Sequence, residues 1–166
     1  CSIVRCQRGI FLVAEAGQEE RMIRKFEERD LETVMGLWLE GNLQAHSFIP
    51  ERYWKDNQEL VRDLLPGAAL YVYEEEGAGR PDGFIGLSGD YIEGLFVRGE
   101  KRSAGIGAAL LDFAKKGRGA LTLRVYQKNE RAVRFYLRNG FRIRQEGLDE
   151  GTGEREYEME WKGEGR

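Results

Sequence analysis

Cysteine is nearly absent: the two in the chain, Cys1 and Cys6, stand together at the amino terminus. They cannot build a disulfide framework or a CxxC metal pattern around a core, and a reducing, cytoplasmic setting is the expectation. No apolar run approaches the roughly 20 residues that span a bilayer, so no membrane partner is expected. The apolar patch in CSIVRCQRGIFLVAEAG is too short and too interrupted for a signal peptide. Neither sign of charge dominates. With 26 basic and 29 acidic residues in a mixed pattern, there is no basic face to displace counterions, and no nucleic acid is expected as a partner. Histidine occurs once, at His46. No serine or cysteine nucleophile with a partnering base is evident. The GxGxxG of a dinucleotide fold and the GK[ST] of a P-loop are both missing.

At 166 residues the chain is long enough for one domain with a sizeable core. Residues 1–21 lack clear periodicity, and the pattern sharpens at Met22, where MIRKF begins a strand. The opening residues read either as a leader ahead of a natural start at Met22 or as an extra strand around Ile10 to Ala14. The domain is drawn at 22–162, with a frayed tail at 163–166. Leu31, Val34, Met35, Trp38 and Leu39 follow amphipathic helical spacing, with Asp30 as the cap. Pro50 breaks that helix, and Trp54, Val61, Leu64 and Leu65 resume the spacing up to Pro66-Gly67. ALYVYEEE and GFIGLSGDYIEGLFV predict an antiparallel meander with turns at GAGRPDG and near Gly89-Asp90. Later come the strand LTLRVY, the helix NERAVRFYLRNG ending at Gly140, and two strands, FRIRQEGL and REYEMEWK, around DEGTGE. The predicted order is β-α-α-β-β-β-α-β-α-β-β, a mixed α/β fold with a central sheet of about seven strands.

What the chain has in quantity is glycine, and one stretch stands out. RSAGIG, Arg102 to Gly107, follows the apolar run Leu95-Phe96-Val97 and opens the helical AALLDFAKK. A glycine loop between strand and helix presents backbone N–H groups at the positive end of a helix dipole, which suits phosphate oxygens. Taken alone it reads first as a structural turn.

LFVRGEKRSAGIGAALLDFA resembles motif A of the GNAT superfamily of N-acetyltransferases, [QR]xxGx[GA] between an apolar strand and a helix, with Arg102, Gly105 and Gly107 in its three fixed places. NERAVRFYLRNGF, Asn129 to Phe141, resembles the same family's motif B, NxxAxxFYxxxGF, at every named position. The segment LWLEGNLQAHSFIPERYW further resembles a bacterial subgroup of small or protein-lysine-directed acetyltransferases. One departure is visible: a proline common after the fourth strand's valine is replaced, in Val97-Arg98-Gly99, by a different turn, which puts loop rigidity in question.

The resemblance implies a GNAT fold whose fourth and fifth strands splay apart, with acetyl-CoA as cosubstrate, an amine as acceptor, and a monomer or homodimer. It places the pyrophosphate on Arg102, Ser103, Ala104, Gly105, Ile106, Gly107 and Ala108, with glycine at 105 and 107 allowing close approach. The pantetheine arm pairs with the backbone of Leu95, Phe96 and Val97, and Asn129 and Tyr136 border it. Tyr136 corresponds to the motif B tyrosine that faces the CoA sulfur, and a phenol suits protonation of a thiolate; an aromatic at helical spacing also serves core packing. Two residues are candidates for the base. Glu93 precedes the fourth strand's apolar run, on the opposite face from Gly94 and Phe96 by alternation, although exposed strand-end charge is the commoner reading of such a glutamate. His46 would titrate near neutrality, although a lone loop histidine is more often a surface or hydrogen-bonding residue. Trp38, Phe48, Tyr53, Trp54 and Tyr126 line an acceptor pocket or pack as core and lid. Glu74 to Glu76 read as solvated charge, and no metal is expected. A noncatalytic acyl-CoA sensor and a nucleotide-binding regulator are the competing readings.

Overall fold

The computed structural model describes residues 22–102 and 104–163. The expectations for the leader at 1–21, for Ser103 and for tail residues 164–166 lie outside the described residues. Seven strands form one sheet in the order β1-β2-β3-β4-β5-β7-β6. They are β1 (Ile23–Lys25), β2 (Ala69–Tyr73), β3 (Gly83–Ser88), β4 (Tyr91–Val97), β5 (Ala120–Tyr126), β6 (Arg142–Leu148) and β7 (Arg155–Lys162). Every neighbouring pair is antiparallel except β4 and β5. The α-helices are α1 (Leu31–Ala45), α2 (Glu51–Asp56), α3 (Gln58–Leu64), α4 (Ile106–Lys115) and α5 (Glu130–Arg138). Among the described residues, no helix is long and apolar enough to cross a membrane.

Side-chain alternation sorts the sheet into two buried faces. On one, Leu121, Leu123 and Val125 of β5 and Met159 of β7 pack with Ile106, Leu110, Leu111 and Ala114 of α4 and with Val133 and Tyr136 of α5. On the other, Leu70, Val72 and Phe84 meet Val34, Met35 and Leu37 of α1, and Leu65. β3 feeds both, Phe84 to one and Ile85 and Leu87 to the other, which is why it reads as a continuous apolar run. Among the described residues, helices cover the second face over β2 to β4. Beyond them Arg124 of β5 is exposed, and Thr122 and Tyr126 are half-buried.

Two local expectations change. Asp30 makes no capping bond to α1; it is 3% exposed, and its carboxylate takes hydrogen bonds from the Arg24 guanidinium at 2.7 and 2.9 Å and from Glu27 N at 2.8 Å. It ties β1 to a short 3-10 turn, Glu28–Asp30, that precedes the helix. The single second helix divides at Asn57, whose side chain donates to Tyr53 O at 2.6 Å and so diverts a carbonyl from regular laddering.

Met159 is fully buried and pairs with Leu123 on one side and Ile143 on the other. Met159→Ala is expected to lower unfolding free energy by about 2–5 kcal/mol. Urea denaturation of the two proteins measures the difference.

Candidate functional site

β4 and β5 pair at two register positions only, Tyr91 with Thr122 and Ile92 with Leu123. Past that point β4 stays paired with β3 as far as Val97, and β5 with β7 as far as Tyr126. Glu93–Val97 and Arg124–Tyr126 therefore leave unpaired backbone along the sides that would have met, an opening suited to an extended ligand that pairs like a strand. A bulge sits where the strands part: Gly86 pairs with Gly94 but Leu87 with Ile92, leaving Glu93 over. This corrects the expected facing of Glu93. A Cβ built on Gly86 would meet Leu70, a residue of the α1-side core, at 3.0 Å and Glu93 Cβ at 3.8 Å, so Glu93 lies exposed on the same face as Phe96 rather than opposite it.

Phe96 fixes this part of β4 against α1. A Cβ on Gly41 or on Gly94 would come within 2.7 Å of its ring, and the ring stacks on Phe84 with centroids 5.2 Å apart. After Val97 the chain turns through Arg98, whose Nε donates to Asp82 Oδ1 at 3.0 Å and whose Nη2 donates to Pro81 O at 2.8 Å. Its backbone N donates to Asp82 O at 2.7 Å. A 3-10 turn, Gly99–Lys101, leads into Arg102. Gly105 then takes φ +85° as the cap residue of α4, a conformation that disfavours side chains. The helix ladder starts with Ala109 N donating to Gly105 O at 3.0 Å, which leaves the N–H groups of Ile106, Gly107 and Ala108 ahead of it. Glycine at 107 also has a packing role: a Cβ there would stand 3.1 Å from Phe135 Cζ and 3.8 Å from Val97 Cγ2. Arg102 has its charged form disfavoured first by burial and then by Arg131, with Glu40 opposing. An anion is the group that would relieve two such arginines at a helix amino terminus. Arg131, in the first turn of α5, escaped the sequence reading because nothing in the spacing ties it to Arg102.

Those contacts of Phe135 also bring α5 to the mouth of the parting. Tyr136, beside it, is 8% exposed, its ring 5.2 Å from Phe135 and 5.4 Å from Phe141. Burial raises its pKa and keeps the phenol protonated. At the amino end of α5, Asn129 Oδ1 accepts from Ala132 N at 3.3 Å, an N-cap bond, while its Nδ2 lies 3.2 Å from His46 Nε2.

Near the end of β5 the aromatic residues gather into one wall. His46, which follows α1, stacks on Trp54 at 5.3 Å and meets Tyr126 at 5.0 Å and Phe48 at 5.6 Å. Trp38 and Tyr53 both join Trp54 edge-on. Burial pushes the His46 pKa down to about 4, below the neutral range expected of it as a base, and its Nε2 faces the Asn129 amide. Tyr126 donates its hydroxyl to Asp149 Oδ2 at 2.5 Å. Asp149 also accepts from Thr152 Oγ1 and Gly151 N, both at 3.0 Å, so the β6–β7 turn is fastened to the end of β5. Sequence patterning missed Asp149, which looked like ordinary turn polarity. It also missed Glu156, paired with Tyr126 across β5 and β7. The Glu156 carboxylate is 16% exposed and 4.0 Å from Arg124; burial and then Asp149 raise its pKa, against the pull of Arg124.

A family model described as an acetyltransferase (GNAT) domain matches residues 66–143. Peptidyl-lysine N-acetyltransferase YiaC of Escherichia coli strain K12 is 38% identical over 124 residues, 74% of this chain and 84% of that protein. Peptidyl-lysine N-acetyltransferase YjaB of the same strain is 33% identical over 121 residues, 73% of this chain and 82% of that protein. The solution structure of apo-form YjaB from Escherichia coli matches with a TM-score of 0.76 at 29% identity, covering 84% of this chain and 95% of that one. Identity of this order across most of the relatives' length decides membership: the chain belongs to the GNAT acetyltransferase family and is an acetyl-CoA-dependent N-acetyltransferase.

Proposed function

We propose that this enzyme acetylates lysine side chains of proteins or peptides, that Tyr136 is its general acid, and that the catalytic domain spans residues 22–162. The observation that carries the acid assignment is the Tyr136 hydroxyl. Its ring is buried on α5, the hydroxyl has no hydrogen-bond partner among the described residues, and burial is the one cause that moves its pKa. Acetyl-CoA supplies an acyl group activated as a thioester. The residues that would hold it are the N–H groups of Ile106 to Ala108, the arginines 102 and 131, and the unpaired backbone of Leu95 to Val97. Ser103 and Ala104 complete that loop in the sequence. Both ends of the Asn129 amide are engaged, so a contact from it would use its second N–H.

Transfer also requires an acceptor nitrogen in its neutral form and a proton for the departing sulfur. The carboxylates of Glu93 and Glu156, on the open face beside the aromatic wall, draw the acceptor ammonium toward the parting, and Glu93 at the bulge takes its proton. Support for lysine as the acceptor comes from YiaC and YjaB, each named a peptidyl-lysine N-acetyltransferase. The wall of Trp38, Phe48, Trp54 and Tyr126 suits the methylenes of a long amine.

With acetyl-CoA and a lysine peptide blocked at its α-amine, mass spectrometry is expected to locate the acetyl group on the lysine Nε. A panel in which only small amines react would overturn the acceptor assignment. Tyr136→Phe is expected to lower kcat by about 10²- to 10⁴-fold with little change in KM for acetyl-CoA, and wild-type turnover would remove it as the acid. Gly105→Ala is expected to raise the acetyl-CoA KM about tenfold, because a left-handed non-glycine residue costs about 1–2 kcal/mol. Gly105→Asn, which tolerates that conformation better, is expected to fall between them in the same steady-state assay.

A further inference from the structure

Among the described residues, His46 has an environment that the proposed function leaves unexplained. Its ring is enclosed by Trp54, Tyr126 and Phe48, and Nδ1 is buried with no partner among the described residues. The contact at 3.2 Å between His46 Nε2 and Asn129 Nδ2 fixes its chemistry. Asn129 Oδ1 accepts from Ala132 N at 3.3 Å, and a flipped amide would set two donors against each other there, so the amide orientation is determined. Nδ2 therefore donates, and it can donate only to an unprotonated Nε2. In this assignment His46 is neutral with its proton on Nδ1, an N–H that meets no acceptor among the described residues.

This bond links two parts of the site that lie on opposite faces of the sheet. His46 ends α1 on the acceptor side, its backbone N donating to Asn42 O at 2.9 Å. Asn129 caps α5, the helix that carries Tyr136, and its own N donates to Tyr126 O at 3.0 Å at the end of β5. We propose that His46 is a positioning residue: by accepting the Asn129 hydrogen bond it holds the amino end of α5, and with it the Tyr136 hydroxyl, in register with the aromatic wall, and it takes no part in proton transfer. The target of the positioning rests on the reading of Tyr136 as the acid.

Among the ionisable groups of the elements packed on His46, Tyr126 donates its hydroxyl to Asp149 and Lys128 lies 5.4 Å over the Phe48 ring. Burial is the one cause that shifts the imidazole. The chain holds a single histidine, so ¹⁵N-histidine NMR of the full chain reads it without assignment. The expected spectrum shows protonated Nδ1 and bare Nε2, with no titration between pH 8 and pH 5. A protonated Nε2, or titration near pH 6.5, would overturn the proposal.

Kinetics test the link separately. His46→Phe fills the space but cannot accept, and Asn129→Ser keeps a capping oxygen but cannot reach the imidazole. Each is expected to lower kcat by about 10- to 100-fold, the scale of a misplaced catalytic group, and the double variant by no more than the larger single loss. His46→Gln, whose amide oxygen can accept, is expected to recover most of the rate and to keep the basic limb of the pH–rate profile. Losses that multiply, no recovery in His46→Gln, or loss of the basic limb in that variant would each overturn it. Tyr136→Phe is run alongside: full activity there refutes the acid reading and the positioning target with it, whereas an impaired Tyr136→Phe with multiplying losses refutes the positioning role alone.

Discussion

Everything in the site depends on the parting of β4 from β5 after two register pairs. Unpaired backbone amides inside a sheet are costly unless water or a ligand satisfies them. The gap must therefore be held open from outside. β4 is restrained on its far side by β3 through Val97 and from above by Phe96, clasped between Gly41 and Gly94. β5 is restrained by β7 through Tyr126, and by Asp149 on the tyrosine hydroxyl. With both outer sides fastened, the strands cannot close the gap between themselves, and the bulge at Glu93 turns the β4 backbone away from its neighbour. An opening held in this way suits a ligand arm that contains amides.

The same parting divides the electrostatics. At the end of β4 the chain gathers positive character: the amino terminus of α4, Arg102 and, one helix away, Arg131. On the open face beyond β5 it gathers carboxylates. Glu160 is engaged by Arg144 at 3.2 Å and Lys162 at 3.5 Å, while Glu156 has Arg124 only at 4.0 Å. Tyr91 registers the field of this surface, its pKa raised first by burial, then by Glu93, with Arg124 opposing and Glu156 and Glu158 adding. Positive and negative potential thus stand on opposite sides of the parting, an arrangement that suits an anionic ligand on one side and a cationic one on the other.

Elements and motifs were legible in the sequence because their signals are local. Alternation announces β5, helical spacing announces α1, and Asn129 with its following helix is a cap that any reading would find. The side of Glu93 was not legible, since one bulged residue inverts alternation and nothing in YIEGLFV marks where the extra residue falls. The state of His46 was not legible either. A lone histidine after a helix carries its ordinary pKa on paper, and the shift to about 4 comes from partners distant in the chain, Tyr126 among them. Asp149 and Glu156 belong to the same class. Their importance arises from β7 inserting between β5 and β6, a topological fact that residue spacing near either one does not encode.

The turn after β4 shows how position can be maintained by different means. Without proline there, the chain has no covalent lock on φ, and Val97-Arg98-Gly99 alone would leave the approach to the glycine loop free. Asp82 supplies the lock instead. It is 4% exposed, and it holds Arg98 at three points when Pro81 is included: carboxylate to Nε, backbone carbonyl to backbone N, and the preceding carbonyl to Nη2. A buried ion pair is a poor source of stability, because desolvating both charges offsets most of their attraction. Its advantage is directional, since a planar guanidinium held at several points fixes the backbone that carries it. The start of the glycine loop is thereby referred to β3, the strand buried on both faces, and the loop inherits the rigidity of the core without a rigid residue of its own.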